Sequence, residues 1–193
     1  MSALFIDVDT QLDFLYPAGA LYVPGAERLV PTLARLARYA AEHRIPLIST
    51  VDAHTESDPE FRSWPKHCVA GTTGQHKAAP TLLARRSVVP NRAGALASAG
   101  AEQIVVEKQT IDAFQTHTFA PLLQSLNSDR FVVYGVVTEI CVLHAVRGLR
   151  QFAKPVTVVT DAVRELTERG CREALDEMRE SGVRFATAAE ITA

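Results

Sequence analysis

Four apolar runs in this sequence end on residues that can do chemistry. Ala3 to Val8 is followed by Asp9, Ile45 to Val51 by Asp52 and His54, Gln103 to Glu107 by Lys108, and Phe131 to Val136 by a segment containing Cys141. Cysteine is the candidate nucleophile. The stretch Gly135-Val136-Val137-Thr138-Glu139-Ile140-Cys141-Val142 leaves a β-type run and opens a helical pattern, with Val142, Ala145, Val146, Leu149 and Phe152 at helical spacing. With Thr138 as the expected cap, Cys141 falls in the first turn of a helix at a strand's C-terminal end. Free backbone N–H groups and the positive end of the helix dipole both favour a thiolate there. Open parallel sheets also place ligands at that edge.

A second chemistry is spelled by Asp52, His54 and His67. Residues i and i+2 of an extended segment point the same way, so Asp52 and His54 can share one ligand, and His67 can reach it from a long loop. One carboxylate with two imidazoles suits a single divalent zinc, iron or manganese ion and leaves positions open. Glu60 or Asp58 could add a further ligand. Each residue also has an ordinary alternative. Asp9 could cap a loop, Lys108 could be surface charge, Cys141 could be a small buried hydrophobe, and the acid–histidine group could be a polar loop. Cys68 and Cys171 read as structural. His43, His76, His117 and His144 read as surface or satisfied histidines, His117 being of interest because it follows the Lys108 loop.

The elements that must position these groups alternate. Helical periodicity covers Glu27 to His43, where Leu29, Val30, Leu33, Leu36, Ala37 and Ala40 form one stripe, and also Thr118 to Leu126 and Glu168 to Ser181. Further strands are expected over Val156 to Thr160 and Val183 to Ala186. Residues 79–100 are expected to hold a short helix, a β piece at Ser87 to Val89 and another small helix. Continuously apolar strands between helices imply an α/β fold, a single-domain, three-layer, doubly wound, mostly parallel sheet spanning residues 1–193. Thr55 to Gly74 is a long polar excursion, a length more often functional than decorative.

With 193 residues, 47% of them hydrophobic, the chain can bury a real core. Its formal net charge of −2 gives no reason to expect nucleic acid or an anionic membrane as partner. No apolar run reaches the length of a membrane span, and the N-terminus shows no signal peptide. Its 3 cysteines lack CxxC spacing, which points to reduced thiols and a cytoplasmic location.

Assembled, these residues resemble the isochorismatase-like cysteine hydrolases, and within them the nicotinamidase (pyrazinamidase) branch. The resemblance runs nearly end to end. It rests on Asp9-Thr10-Gln11-Leu12-Asp13-Phe14, similar to the family's D-x-Q-x-D-F, and on Asp52-Ala53-His54. It continues through Trp64-Pro65-Lys66-His67-Cys68-Val69 with Gly71-Thr72-Thr73-Gly74, then Lys108 and the Gly135 to Val142 segment. The resemblance implies a catalytic triad of Asp9, Lys108 and Cys141. It also implies metal ligands Asp52, His54 and His67, with Glu60 at the position of a variable fourth ligand. A cis peptide would join Val136 to Val137 and turn the Val137 and Cys141 amides toward an oxyanion. Phe14 and Trp64 match positions lining a ring pocket, which Phe114 and Ile140 would complete. The implied activity is hydrolysis of a small amide, nicotinamide first, with a divalent metal, no organic cofactor, a place in NAD salvage and a homo-oligomeric state. Two departures touch the pocket: Gln109 to Phe114 lacks the Tyr-Ser-Gly-Phe-like segment common after the lysine, and Ile140 stands where an aromatic or histidine is frequent. Rival readings are a metal-poor relative acting on another amide, carbamoyl or vinyl-ether substrate, and a haloacid-dehalogenase-type phosphatase. The latter would use Asp7 and Asp9 of Asp7-Val8-Asp9-Thr10.

Overall fold

The computed structural model describes residues 2–95, 97 and 99–193. In chain order its elements are β1 (Ala3–Val8), α1 (Leu12–Leu15), α2 (Val30–Glu42), β2 (Leu47–Asp52), β3 (Arg86–Val89), β4 (Gln103–Lys108) and α3 (Phe119–Leu126). They continue with β5 (Arg130–Val136), α4 (Leu143–Arg150), β6 (Val156–Arg164), α5 (Glu168–Glu180), β7 (Arg184–Ala186) and α6 (Ala188–Ile191). The seven strands form one sheet in the order β3-β4-β2-β1-β5-β6-β7. Every pairing is parallel, so the expected mostly parallel sheet is wholly so.

β1 shows why the strands are continuously apolar. Successive side chains alternate across a sheet covered on both faces. Ala3 and Phe5 enter one core with Phe14 of α1 and Leu33, Leu36 and Ala37 of α2. Leu4, Ile6 and Val8 enter the other with Phe119 of α3, Val146 and Leu149 of α4 and Met178 of α5. The stripe read from the sequence is the face that α2 buries, and Pro31 sits in its first turn, where its missing N–H is harmless. Removing one such side chain, as in Leu33→Ala, is worth about 2–5 kcal/mol.

Chain order fixes where the sheet opens. The chain builds the sheet outward from β1, with β2, β4 and β3 on one side and β5, β6 and β7 on the other. β1 is therefore the switch point, where the loops leaving β1 and β5 diverge and open a crevice at the C-terminal edge. Gly135 is required at that place. Its φ is +123°, and a Cβ there would run into the backbone of Val8 on β1.

Several local expectations change. Thr138 does not cap a helix; Val137 precedes a π-type turn, Thr138–Val142, which leads into α4. β6 continues to Arg164, with a register shift against β5 between Val133 and Gly135. Residues 79–100 hold a 3-10 turn at Ala79–Thr81 and the strand β3. The second small helix expected in that stretch would include Leu96 and Ser98, which lie outside the described residues. α1 and α6, four residues each, carried no periodic signal. Among the described residues, no helix is long and apolar enough to cross a membrane.

Candidate active site

Sheet register brings the candidates together. Asp52 and Lys108 are Cα partners at the ends of β2 and β4. Val8 pairs with Thr50 on one side and Gly135 on the other, so Asp9 emerges between the β2 end and the segment leading to Cys141. Asp9 takes a left-handed backbone turn, φ 51°. Its amide donates to the Thr50 carbonyl at 3.1 Å, and the Thr50 hydroxyl donates to its Oδ1 at 2.6 Å.

Lys108 is the hub. Its Nζ is 2.5 Å from Asp52 Oδ1, 2.9 Å from Asp9 Oδ2 and 4.0 Å from Cys141 Sγ. The lysine and both aspartates are buried, whereas Cys141 is half-buried. Despite its nearness to the ammonium, Asp9 Oδ2 accepts no aligned hydrogen bond, which leaves a buried carboxylate oxygen available to a proton. Burial tends to push the Lys108 ammonium down, but the carboxylates of Asp52 and Asp9 outweigh it and hold its pKa well above the usual range. Burial, joined by the charge of Asp52, raises Asp9 above an ordinary carboxylate although Lys108 pulls the other way. Asp52 has the opposite balance: burial would raise it, but Lys108 and the neighbouring imidazoles hold it well below the usual carboxylate range. Burial, with the negative charges of Asp9 and Asp52, pushes the Cys141 thiol well above the usual thiol range despite Lys108. Burial thus works against the free thiolate that a helix N-terminus alone favours, and Lys108 works for it.

The acid–histidine group also converges. One donor atom each from Asp52, His54 and His67 lies within 4.8 Å of the others, and all three residues are buried. Asp52 Oδ2 is 3.8 Å from His54 Nε2 and 3.7 Å from His67 Nε2. His67 Nδ1 is 2.7 Å from the Pro65 carbonyl, which can only accept, so Nδ1 carries the hydrogen and Nε2 presents a lone pair. His54 is fully buried, and among the described residues its Nε2 has no aligned hydrogen bond. The Nε2 atoms of His54 and His67 facing the Asp52 carboxylate fit a divalent cation, and the N,N,O donor set suits zinc. Without one, Asp52 holds both imidazoles above their usual pKa, even though burial works in the other direction. Glu60 Oε1 stands 4.0 Å from His67 Nε2, outside the close trio. Asp58 is not turned toward the shared centre. Its Oδ2 lies 3.1 Å behind His54, on Nδ1, where a carboxylate orients a ligating histidine.

The pocket residues divide. Phe14 lies beside the acid–histidine group, its ring 5.4 Å from that of His67. Trp64 is half-buried on the same excursion, its amide donating to the Glu60 carbonyl at 3.1 Å. Ile140 packs on the first core next to Cys141. The Val136–Val137 peptide is cis. Phe114, expected at the pocket, packs on the second core, as Cys141 does, 4.9 Å from Phe119 and 6.1 Å from Phe152. The absence of a side chain at Gly148 admits its ring there.

Three roles escaped the sequence reading, which named Asp7, Gln11 and Asp13 without these contacts. Phe61 sits 5.2 Å from His54 and 5.7 Å from His67, ring to ring, and only its place in the polar excursion hinted at it. Asp7 is wholly buried on β1, where Lys77 Nζ, the Thr10 hydroxyl and the Ser49 hydroxyl all donate to it. Lys77 also donates to Thr10 Oγ1. Burial lowers the pKa of that ammonium while Asp7 supports it. An aspartate so engaged beneath the site is not a nucleophile, which removes the phosphatase reading. Gln11 and Asp13, finally, hold backbone groups of Asp52, Gln75, Cys68 and Ala20.

Comparison with known proteins agrees with this geometry. A search of curated sequences gives no significant match. Among solved structures, pyrazinamidase of Pyrococcus horikoshii in complex with zinc superposes with a TM-score of 0.81 at 24% identity, covering 97% of this chain and 99% of that one. Nicotinamidase/pyrazinamidase from Bacillus subtilis gives 0.82 at 21% identity, covering 96% and 100%. N-carbamoylsarcosine amidase from Thermoplasma acidophilum gives 0.79 at 22% identity, covering 97% of each chain. At such identities the likeness establishes the fold alone. The family is established separately, because the model of the isochorismatase domain matches residues 2–190. The chain belongs to the isochorismatase family and is, on that account, a hydrolase.

Proposed function

We propose that this hydrolase is a metal-assisted cysteine amidase, with nicotinamide as the best-supported substrate. One observation carries the reading: a buried Asp9–Lys108 pair reaches Cys141 while the same lysine is bonded to Asp52 of the adjoining acid–histidine group. Nucleophile and metal group thus share one floor.

In the proposed reaction Asp9 accepts the Cys141 proton as sulfur attacks the amide carbon, and Lys108 stays beside the single negative charge as it passes from the carboxylate toward the substrate oxygen. This transfer relocates one negative charge without creating a second, and a carboxylate whose pKa burial raises accepts the thiol proton more readily than an ordinary one. The Val137 and Cys141 N–H groups would receive the oxyanion; one such donor is worth about 3–4 kcal/mol. Asp9 then passes its proton to the departing nitrogen, the C–N bond breaks, and ammonia leaves a thioester on Cys141. Water adds to the thioester carbon, gives a proton to Asp9 and expels the sulfur, which recovers that proton. Asp52, His54 and His67 would hold a divalent cation, which supplies a fixed positive charge for orienting the substrate through a ring nitrogen or a bound water. Phe14 and Trp64 would flank a flat ring.

A pyrazinamidase in complex with zinc and a nicotinamidase/pyrazinamidase among the structural relatives support this choice. A carbamoyl amide is the second reading, supported by the carbamoylsarcosine amidase likeness. The test is ammonia release from nicotinamide and from a panel of carbamoyl amides, before and after chelation, with Cys141→Ala as control. Chelator-sensitive, cysteine-dependent release from nicotinamide is the expected result. Release from carbamoyl amides alone would move the substrate assignment, and turnover by Cys141→Ala would end the mechanism.

A further inference from the structure

The catalytic group and the acid–histidine group share a neighbour that the mechanism does not use: the turn Gln11–Asp13, just beyond Asp9. Gln11 is fully buried. Its Oε1 accepts from the Asp52 amide at 2.7 Å, and its Nε2 donates to the Asp52 carbonyl at 2.8 Å. The same Nε2 donates to the Gln75 carbonyl at 2.8 Å. One side chain thus grips both backbone groups of a proposed metal ligand and ties them to the far end of the loop.

Asp13 does the same for the other end of the donor set. Its Oδ2 accepts from the amide of Cys68, the residue after His67, at 2.7 Å. Its Oδ1 accepts from the Ala20 amide at 2.9 Å. The carboxylate lies so close to Gly74 that a Cβ there would collide with it. Cys68 itself holds a left-handed backbone, φ 45°, a conformation that a non-glycine residue keeps only when its surroundings enforce it. These two side chains, both on one short turn, hold the spacing of Asp52 on β2 and His67 on the loop together with backbone bonds from the His54 amide to the Cys68 carbonyl, 3.1 Å, and from the Ala70 amide to the His54 carbonyl, 2.8 Å.

We propose that Gln11 and Asp13 are positioning residues that fix the spacing of the metal donors by holding the Asp52 and Cys68 backbones. Neither touches the donor atoms, so their loss changes the geometry of the site and leaves the ligand set intact. The inference rests on the reading of Asp52, His54 and His67 as a metal site. Groups that orient ligands from behind typically contribute about 10–100-fold in metal affinity.

The test uses the whole protein and needs no substrate. Zinc affinity is measured by competition with a chromophoric chelator, and Co²⁺ is bound in place of zinc to record its d–d spectrum. Asp13→Ala and Gln11→Leu are expected to weaken zinc binding by about 10–100-fold and to shift the Co²⁺ bands. Asp13→Asn, which retains an oxygen for the Cys68 amide, is expected to recover part of both. Gly74→Ala displaces the carboxylate without removing it and carries the test if Asp13→Ala does not fold. A wild-type protein that binds no zinc would overturn the metal-site reading and this inference with it. Tight wild-type binding, with variants inside threefold and unchanged cobalt spectra, would overturn the inference alone and leave these residues only a part in stability.

Discussion

Lys77→Met is the perturbation that most directly tests the physical account of the floor beneath the site. Lys77 is nearly inaccessible and Asp7 wholly so, and the ammonium reaches both Asp7 and Thr10. Methionine fills a similar volume without the charge. It leaves Asp7 with only the hydroxyls of Thr10, at 2.9 Å, and Ser49, at 3.3 Å. Breaking one half of a buried ion pair is worth about 3–5 kcal/mol of stability, because the remaining charge has no compensation. For a chain of this size each kcal/mol shifts Tm by roughly 2–4 °C, so the variant should melt about 6–20 °C lower. Asp7→Leu combined with Lys77→Met removes both charges, and such replacements are often neutral or stabilising. The double variant should therefore return to within about 1 kcal/mol of wild type, giving a coupling of at least about 2 kcal/mol in the cycle. Urea unfolding monitored by circular dichroism measures this, provided the denaturant slope stays constant across the four proteins. A single variant costing under about 1 kcal/mol would refute the reasoning, since a loss that small belongs to exposed ion pairs. So would a double variant as unstable as the single one, since the two charges would then not be each other's compensation.

The site itself gives three further expected outcomes. Cys141→Ala should lower kcat by about 10⁴-fold or more while zinc content stays stoichiometric; steady-state kinetics and elemental analysis of the same preparation check both parts. His54→Ala should lose the metal and raise KM, because a donor disappears while the Asp9–Lys108–Cys141 group stands, and iodoacetamide labelling of Cys141 should persist. The pH dependence has a definite sign. Asp9 must be ionised to accept the thiol proton and its pKa is raised, so activity should fall on acidification through a limb displaced upward from the ordinary carboxylate range. A kcat/KM profile shows this, and an acid limb at or below that range would contradict the burial argument.

Much of the site was legible in the sequence because strand ends in a parallel sheet fall on one edge. Asp9, Asp52, Lys108 and Cys141 each follow an apolar run, and that pattern alone predicts their convergence. His67 was legible only through its residue type and spacing, since no periodicity describes a loop. What escaped was set by tertiary contact. Thr138 has the chemistry of a cap, yet the chain enters a π-type turn after Val137 and its hydroxyl finds no partner. Phe114 had the right type for a ring pocket, but Gly148 offers it a place in the second core. Nothing local marks Lys77 as buried; its partner lies 70 positions away. α1 and α6 are single turns, too short to show a period.

The placement of β1 between β2 and β5 has a consequence for biosynthesis. Its first neighbour is made within about one helical crossover, but the other edge pairs with Arg130–Val136, so one flank stays unpaired until most of the chain has left the ribosome. Until then the nascent chain exposes an apolar strand with free N–H and C=O groups, a template for pairing with another chain. Non-local parallel pairing is also slow to form. The strand that delivers Asp9 is thus the one that waits longest for its second neighbour, and chaperone demand during synthesis should depend on how quickly β5 is translated.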